Sequence, residues 1–443
     1  MKVVVIGTGY VGLVSGACFA DIGHDVTCID KNPDILARLE RGEIPIFEPG
    51  LGDVVARNIA RGRLAFASSP ASSVPSADVV FIAVGTPPGE SGDADLSYVR
   101  AAAGELAPCL SDYTVIATKS TVPVGTNRDV ARIVRAASPD ANFDVASVPE
   151  FLREGSAVSD FAAPDRIVVG TDNARAADVL RELHQPLLDG RSDRFVLTGV
   201  ETAELIKYSA NAFLAVKITF INEIANLCER VGADVEDVAR GMGFDSRVGR
   251  WGLSAGPGYG GSCFPKDTLA LAHDAAKAGA PIRLVETAIE INDARKKSLA
   301  DRVSSVIGGS VAGKTVAVLG ITFKANTDDV RDSPAIDLAR GLLAAGAQVR
   351  VFDPEGAPHA RSLLEGVTWW PSAVEAAAGA HVATIVTEWD HFKPTRLDMD
   401  ALKAAMVTPV LVDFRNLFDP TVAAAAGFTY VSVGRQPALP EGA

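Results

Sequence analysis

The sequence predicts an α/β protein made of two doubly wound Rossmann-like domains, joined by an all-α connector that contains a long helix. Three observations predict this. From Val3 to about Leu197, short β-rich apolar runs alternate with helical stretches. Between about Val200 and Ala300 no strand run occurs, and at Gly313 the alternation begins again. The expected boundaries are 1–199, 200–300 and 301–443.

In the first segment the strand runs are VVVIG, DVTCID, DVVFIAV, TVIATK, DVASV, RIVVG and RFVL. Continuous apolar runs separated by amphipathic helices imply a parallel sheet buried on both faces. The connector reads as helices throughout: ETAELIKYSANAFLAVKITFINEIANLCERVG, then DTLALAHDAAKAG and PIRLVETAIEINDARKKSLADRVSSV. Its excess of apolar positions favours a dimerisation element over a spacer. In the last segment TVAVLGITF, QVRVFDP, HVATIVTE and PVLVDFRN are the strands, and Ser333-Pro334 opens a helix as N-cap and first helical residue. QPALPEGA reads as a loose tail.

Composition narrows the function classes. A chain of 443 residues is too long for one ordinary core. The net charge of −13 argues against nonspecific binding to nucleic acid or to an anionic membrane. It leaves room for a phosphorylated substrate, because helix N-termini and a few local cations bind phosphate in an acidic protein. The cysteines (Cys18, Cys28, Cys109, Cys228, Cys263) are odd in number, widely spaced and form no CxxC, as in a reduced compartment. The chain enters a strand at once, which predicts no signal peptide, and Lys217, Asn222 and Glu223 interrupt the apolar stretch Phe213 to Ala225. No metal-spaced histidine pair occurs. The expectation is a soluble cytoplasmic protein without a structural metal.

Gly7-Thr-Gly9-Tyr-Val-Gly12 follows the strand KVVVI and opens the helix VGLVSGACFA. A bare GxGxxG is weak evidence, but here it has the strand–turn–helix setting its physics requires, and Asp30 ends the second strand. Gly7 permits the tight turn, Gly9 the approach of a pyrophosphate and Gly12 close helix–sheet packing. Asp30 would accept from ribose hydroxyls and repel a 2′-phosphate, favouring NAD over NADP. The candidate cofactor residues are therefore Gly7, Gly9, Tyr10, Val11, Gly12, Asp30 and Lys31. The competing reading is a strand-ending aspartate in a Rossmann-like domain that binds something else.

Ligands of open parallel sheets bind beyond the carboxyl ends of the strands, and polar clusters fall there. They are Gly85-Thr86-Pro, Lys119-Ser-Thr121-Val-Pro, Pro149-Glu150-Phe-Leu-Arg-Glu154, Lys324 and Arg415. In the connector Lys207, Asn211 and Asn222 fall on one helical stripe, about 40° and about 60° from the lysine. Lys207 either snorkels to solvent or supplies a cation to a partly desolvated site. Gly256-Pro-Gly-Tyr-Gly-Gly-Ser-Cys263-Phe-Pro-Lys-Asp267 sets a cysteine on a glycine-dense turn beside charged groups. That suits a nucleophile, although from the segment alone a buried structural cysteine before an ordinary helix start is the favoured reading.

Taken together, GTGYVGLV, VGTP, STVPVGT, PEFLREG, ELIKYSANAFLAVKITFINE, PGYGGSCFPKD and GITFKANTDDVRDSP resemble the UDP-glucose/GDP-mannose dehydrogenase family, from Met1 to about Phe418. The resemblance implies an NAD-dependent four-electron oxidation of a nucleotide sugar, here UDP-glucose to UDP-glucuronate, serving polysaccharide biosynthesis. GDP-mannose or a UDP-N-acetylhexosamine is the alternative substrate. A two-electron dehydrogenase of small hydroxy acids has no use for Cys263, and a nucleotide-sugar sensor has no need to keep Cys263, Lys207 and Asp267.

By the same resemblance Cys263 is a nucleophile passing through a thiohemiacetal and a thioester. Lys207 and Asp267 lie beside the reacting oxygen, Glu150 assists hydrolysis, and Thr121 and Asn211 position water and intermediates. Thr86, Thr121, Glu154 and Arg331 are implied near NAD. Lys324 and Arg415 are implied near the sugar nucleotide, and Glu150, Phe151, Leu152, Lys207, Asn211, Tyr259 and Gly260 line the sugar pocket. Arg247 matches an arginine lent across the interface of a homodimer.

Overall fold

The computed structural model of the chain describes residues 1–89 and 92–440. The chain divides into two compact units, Met1–Ala210 with His273–Ala278 and Asn211–Ala272 with Gly279–Ala443.

The first unit is built on an eight-stranded sheet: β1 (Lys2–Ile6), β2 (Asp25–Ile29), β3 (Leu64–Ala67), β4 (Val79–Ile82), β5 (Thr114–Thr118), β6 (Phe143–Ser147), β7 (Ile167–Gly170) and β8 (Phe195–Thr198). Their order across the sheet is β3-β2-β1-β4-β5-β6-β7-β8. β1, β4 and β5 sit in the interior, and their apolar side chains pack on helices from both faces. Val3, Val5, Phe81 and Val115 meet Leu13, Phe19 and Leu180 on one face. Val4, Val80 and Ile116 meet Val99, Ala103 and Val130 on the other.

The expected parallel sheet needs one correction. β6 and β7 pair antiparallel, through Ser147 and Gly170. Parallel neighbours need a crossover helix packed on the sheet. The stretch between these two strands carries only the short helix Ala157–Ala162 and the polar segment from Pro149 to Gly155.

The second unit holds most of the long helix Val200–Val231, then Val235–Gly243, most of Phe264–Lys277, and Arg283–Val306. Its sheet comprises β9 (Thr315–Leu319), β10 (Gln348–Phe352), β11 (Thr368–Trp369), β12 (Val382–Ile385), β13 (Val410–Asp413) and β14 (Thr429–Ser432). These run β11-β10-β9-β12-β13-β14, all parallel, the same order as the first six strands of the other sheet. Ser333 caps its helix as expected, accepting from the Ala335 N–H at 3.2 Å.

Sequence reading missed β3, β11 and β14. The first two are short edge strands with half-exposed side chains, so their apolar signal is thin. β14 did carry a signal in Thr-Tyr-Val-Ser, which is β-branched and aromatic. The expected loose tail is also anchored in part, because Ala438 exchanges backbone hydrogen bonds with Tyr430. Residues 441–443 of that tail lie outside the described residues.

Candidate active site

The nucleotide turn of the first unit has the geometry that the glycine spacing predicts. Gly7 takes φ +103°, and a Cβ there would stand 2.7 Å from the Ala83 carbonyl oxygen. A Cβ on Gly12 would meet the Gly7 carbonyl oxygen at 2.0 Å, whereas Gly9 faces open space. The first helical hydrogen bond runs from Leu13 N–H to the Gly9 carbonyl. The N–H groups of Tyr10, Val11 and Gly12 therefore lie outside the helix ladder, at the positive end of its dipole, where a pyrophosphate binds.

Asp30, half-buried, accepts from the Thr8 N–H at 3.0 Å, from the Thr8 hydroxyl and from the Asn32 N–H at 2.9 Å. A cavity of about 250 Å³ opens beside it, lined by Ile6, Gly7, Ile29, Lys31, Tyr98 and Glu105 among others. Lys31 is ion-paired with Glu105. An open approach at Gly9, a carboxylate at the end of β2 and an apolar cavity beside it fit NAD, which Gly7 to Gly12, Asp30 and Lys31 would hold.

Other candidates of this unit gather at the strand ends. The Thr86 hydroxyl donates to the Thr121 carbonyl at 2.9 Å, fixing the turn after β5. Lys207 does not snorkel. Its ammonium is buried, donates to Glu150 Oε1 at 3.2 Å and lies 5.4 Å from the centre of the Phe151 ring. Glu150 is equally buried, and its other oxygen accepts from the Leu152 N–H at 2.5 Å. Removing one member of such a pair leaves a buried charge uncompensated, at a cost of about 3–5 kcal/mol.

Two buried acids that sequence reading passed over hold this frame. Glu204, one helical turn before Lys207, accepts from the N–H groups of Gly125 and Asn127 and from the Asn127 side chain, at 2.7–2.8 Å. It thereby fastens the turn that carries Thr121 to the helix that carries Lys207. Glu48 accepts from Tyr10, and from the N–H groups of Gly155 (2.6 Å) and Ala157 (2.8 Å). It ties the nucleotide turn to the loop bearing Glu150 and Glu154. For Glu204 the available signal was a carboxylate on the buried helical stripe of Val200, Ala203, Lys207 and Tyr208; Glu48, between half-buried Phe47 and exposed Pro49, carried no such signal.

In the second unit Cys263 immediately precedes the helix Phe264–Lys277, and its carbonyl accepts from the Asp267 N–H at 2.8 Å. The sulfur is half-buried at a helix N-terminus, where the dipole favours negative charge. Asp267 is fully buried, with Oδ2 accepting from the Asn211 amide and Oδ1 from Lys266, each at 2.6 Å. Protein packing alone already requires glycine at three positions before Cys263. A Cβ would strike Asn292 Oδ1 from Gly258 (φ +120°) at 2.8 Å, the Asp332 carbonyl oxygen from Gly260 at 2.3 Å, and the Phe323 ring from Gly261 (φ +83°) at 2.7 Å.

Asparagine side chains grip the same turn. Asn222 accepts from the Gly256 N–H, and Asn292 both accepts from the Tyr259 N–H and donates to its carbonyl. Tyr259 stacks edge-on against Phe264, and burial pushes its phenol up to about 12. Phe323, which sequence reading missed, gathers the cations. Its carbonyl accepts from Arg415 at 2.7 Å, and its ring has the Lys324 ammonium 5.4 Å from its centre. Arg415 also donates to the Val386 carbonyl and lies 3.0 Å from Glu388.

The remaining two predicted arginines are each gripped by a neighbouring aspartate. Arg331 belongs to the second unit, where its carbonyl accepts from the Gly261 N–H of the cysteine turn at 2.9 Å and its guanidinium forks onto Asp329 at 2.7–2.8 Å. Arg247 is exposed, and Asp245 grips it from two residues away at 2.6–3.2 Å.

Comparison with known proteins agrees with this arrangement. Three family models match in succession. They are the NAD binding domain of the UDP-glucose/GDP-mannose dehydrogenase family over residues 1–188, its central domain over 201–294 and its UDP binding domain over 317–420. A UDP-glucose 6-dehydrogenase of Rhizobium meliloti (strain 1021) is 55% identical over 438 residues, covering 98% of this chain and 100% of the relative. A solved UDP-glucose dehydrogenase from Pyrobaculum islandicum superposes with a TM-score of 0.90 at 39% identity, covering 98% of this chain and 97% of that one. A UDP-D-ManNAc dehydrogenase from Pyrococcus horikoshii gives 0.85 at 26% identity, with 98% and 99% covered. With its nucleotide turn, its cysteine turn and three successive domain matches, the chain belongs to the UDP-glucose/GDP-mannose dehydrogenase family and is an NAD-dependent dehydrogenase.

Proposed function

We propose that the chain oxidises the C6 alcohol of UDP-glucose to the carboxylate of UDP-glucuronate, holding the carbon on Cys263 between the two oxidations. The observation that carries the reading is Cys263 itself, a half-buried sulfur at a helix N-terminus on a turn clamped by Asn222 and Asn292. Bound NAD supplies a hydride acceptor for each oxidation, two per sugar.

The chain's residues do the rest. Once C6 is an aldehyde, the Cys263 thiolate adds to it and an S–C bond forms, giving a tetrahedral carbon that can be oxidised again. The Lys207 ammonium stabilises the oxyanion that this addition creates. The second oxidation leaves a thioester. Glu150 takes a proton from water as the water attacks, the C–S bond breaks, and sulfur departs as thiolate. Asp267, held by Lys266 and Asn211, orients the asparagine amide, and Thr121 positions water. Thr86, Glu154 and Arg331 serve the cofactor. Phe151, Leu152, Tyr259, Gly260, Lys324 and Arg415 serve the sugar nucleotide.

Identity favours glucose as the sugar: 39–55% to relatives named for UDP-glucose, against 26% to a UDP-D-ManNAc dehydrogenase and 30% to a GDP-mannose dehydrogenase. The reading keeps the division into residues 1–199 for cofactor, 200–300 for dimerisation and 301–443 for UDP-sugar. It also places the enzyme in the cytoplasm as a homodimer. An exposed apolar stripe on the long helix supports the dimer (Phe213, Phe220, Leu227 and Val231), and Arg247 would serve its neighbour's substrate.

Purified protein incubated with NAD and a panel of nucleotide sugars should form two NADH per UDP-glucose and little with GDP-mannose or UDP-N-acetylhexosamines. Cys263→Ser should bind UDP-glucose yet yield no UDP-glucuronate. A hydroxyl is a poorer nucleophile than a thiolate, and its alkoxide a poorer leaving group. Normal acid output from that variant would remove the covalent scheme.

A further inference from the structure

We propose that Glu204 is a positioning residue for thioester hydrolysis, one that fixes the turn carrying Thr121 in place relative to the Lys207 ammonium. The inference rests on the roles assigned above to Lys207 and Thr121.

Glu204 is 2% exposed, and Asn127, its main partner, is fully buried. Glu204 Oε1 accepts from the Asn127 N–H and from the Asn127 side-chain amide, each at 2.8 Å. Oε2 accepts from the Gly125 N–H at 2.7 Å. The Asn127 amide oxygen accepts in turn from the Thr118 hydroxyl, also at 2.7 Å. Thr118 ends β5, so a buried chain of hydrogen bonds runs from that strand, past the Thr121 turn, to the long helix.

A carboxylate from another element is needed there. The helix Thr126–Ala137 starts after Gly125, which takes φ +94° and has no side chain to cap it. The first N–H groups of a helix lack acceptors within it, and that of Asn127 is shut off from water. Glu204 supplies both of its oxygens, at the end of the helix dipole that favours negative charge.

Lys207 stands three residues further along the long helix, on the same face, and donates to Glu150 Oε1 at 3.2 Å. The start of that helix therefore holds the loop after β5 through Glu204 and the loop after β6 through Lys207. On the other flank of the turn, the Thr121 carbonyl accepts from the hydroxyl of Thr86, in the loop after β4. Three strand-end loops are thus tied in series to one rigid element.

The steps of the proposed reaction ask different things of this tie. Addition of the Cys263 thiolate to the aldehyde needs Lys207 to hold the oxyanion. Hydrolysis needs Lys207 again, and with it a water held by Thr121. The water oxygen bonds to the thioester carbon as its proton passes to Glu150, and the C–S bond breaks. This second step depends on where Thr121 stands relative to Lys207, and small displacements of reacting groups cost large factors in rate.

The test uses the full chain with NAD and UDP-glucose, quenched in acid and read by mass spectrometry of Cys263, beside kcat, KM and the melting temperature. In Glu204→Gln an amide NH2 replaces one of the accepting oxygens, setting donor against donor. Its kcat should fall by about tenfold to a hundredfold with KM for UDP-glucose little changed, and acylated Cys263 should become the main quenched species. Asn127→Ala keeps both backbone donors and should show the same adduct at lower yield; it decides the matter if Glu204→Gln does not fold. A lower melting temperature with normal kcat and no adduct would make the clamp merely structural and overturn the inference. A fall in kcat without adduct would place the loss in a hydride-transfer step and overturn it as well. Glu150→Gln separates this idea from the covalent scheme. If that variant never carries sugar on Cys263, the covalent scheme falls and this inference with it. Adduct there, and none in the Glu204 and Asn127 variants, removes only the role of Glu204.

Discussion

At the scale of single residues, the glycine turn before Cys263 is constrained by its own unit: Gly258, Gly260 and Gly261 are held small by Asn292, Asp332 and Phe323. Gly261→Ala should therefore destabilise its unit, since φ +83° costs an L-residue about 1–2 kcal/mol and a Cβ 2.7 Å from a phenyl ring adds about 1–3 kcal/mol. Denaturant unfolding should show the loss with or without nucleotide sugar. A stable variant with weakened UDP-glucose binding would make ligand contact, not packing, the reason for glycine at that position. Gly7, Gly9, Gly12 and Asp30 were legible because their spacing encodes a local strand–turn–helix. Phe323 was not, because what marks it is the company of residues distant in sequence.

At the scale of elements, every interior strand was legible, whereas of the four edge strands only β8 was, since strands buried on both faces give the clearest apolar runs. The antiparallel joint between β6 and β7 lies in pairing, which single-strand composition does not record. The long helix Val200–Val231 carries Lys207 and Asn211 as buried polar groups, and another of its faces exposes Phe213 (64%), Phe220 (45%), Leu227 (53%) and Val231 (65%). These four lie within about 40° of one another around the helix axis. Exposed apolar residues in a continuous row mark an interface. Replacing Phe213 and Phe220 together by Asp should weaken a homodimer by about a thousandfold or more, at about 2 kcal/mol for each large side chain. Sedimentation would show monomers. An unchanged dimer would send the search for the interface to another face.

At the scale of the whole molecule, two sheets share one strand order and one device, an aspartate at the end of the second strand that gathers donors from the turn after the first. Asp30 leaves capacity for a ligand beside its cavity. Asp353, buried, accepts from Ile321, Thr322, Glu355 and Gly356 of the backbone and from the Trp389 indole at 3.2 Å. Asp30→Ala should raise the KM for NAD by about tenfold, the worth of one charged hydrogen bond. Asp353→Ala should leave that KM alone and lower the melting temperature, because several buried donors lose their acceptor. If Asp353→Ala changed NAD affinity and not stability, the division of labour between the two carboxylates would be wrong. Protein engineers who graft a glycine-rich fingerprint after β9 should not expect a second dinucleotide site, for the indole N–H already takes the Asp353 oxygen that a ribose hydroxyl would need. Excising Trp389 would have to come first.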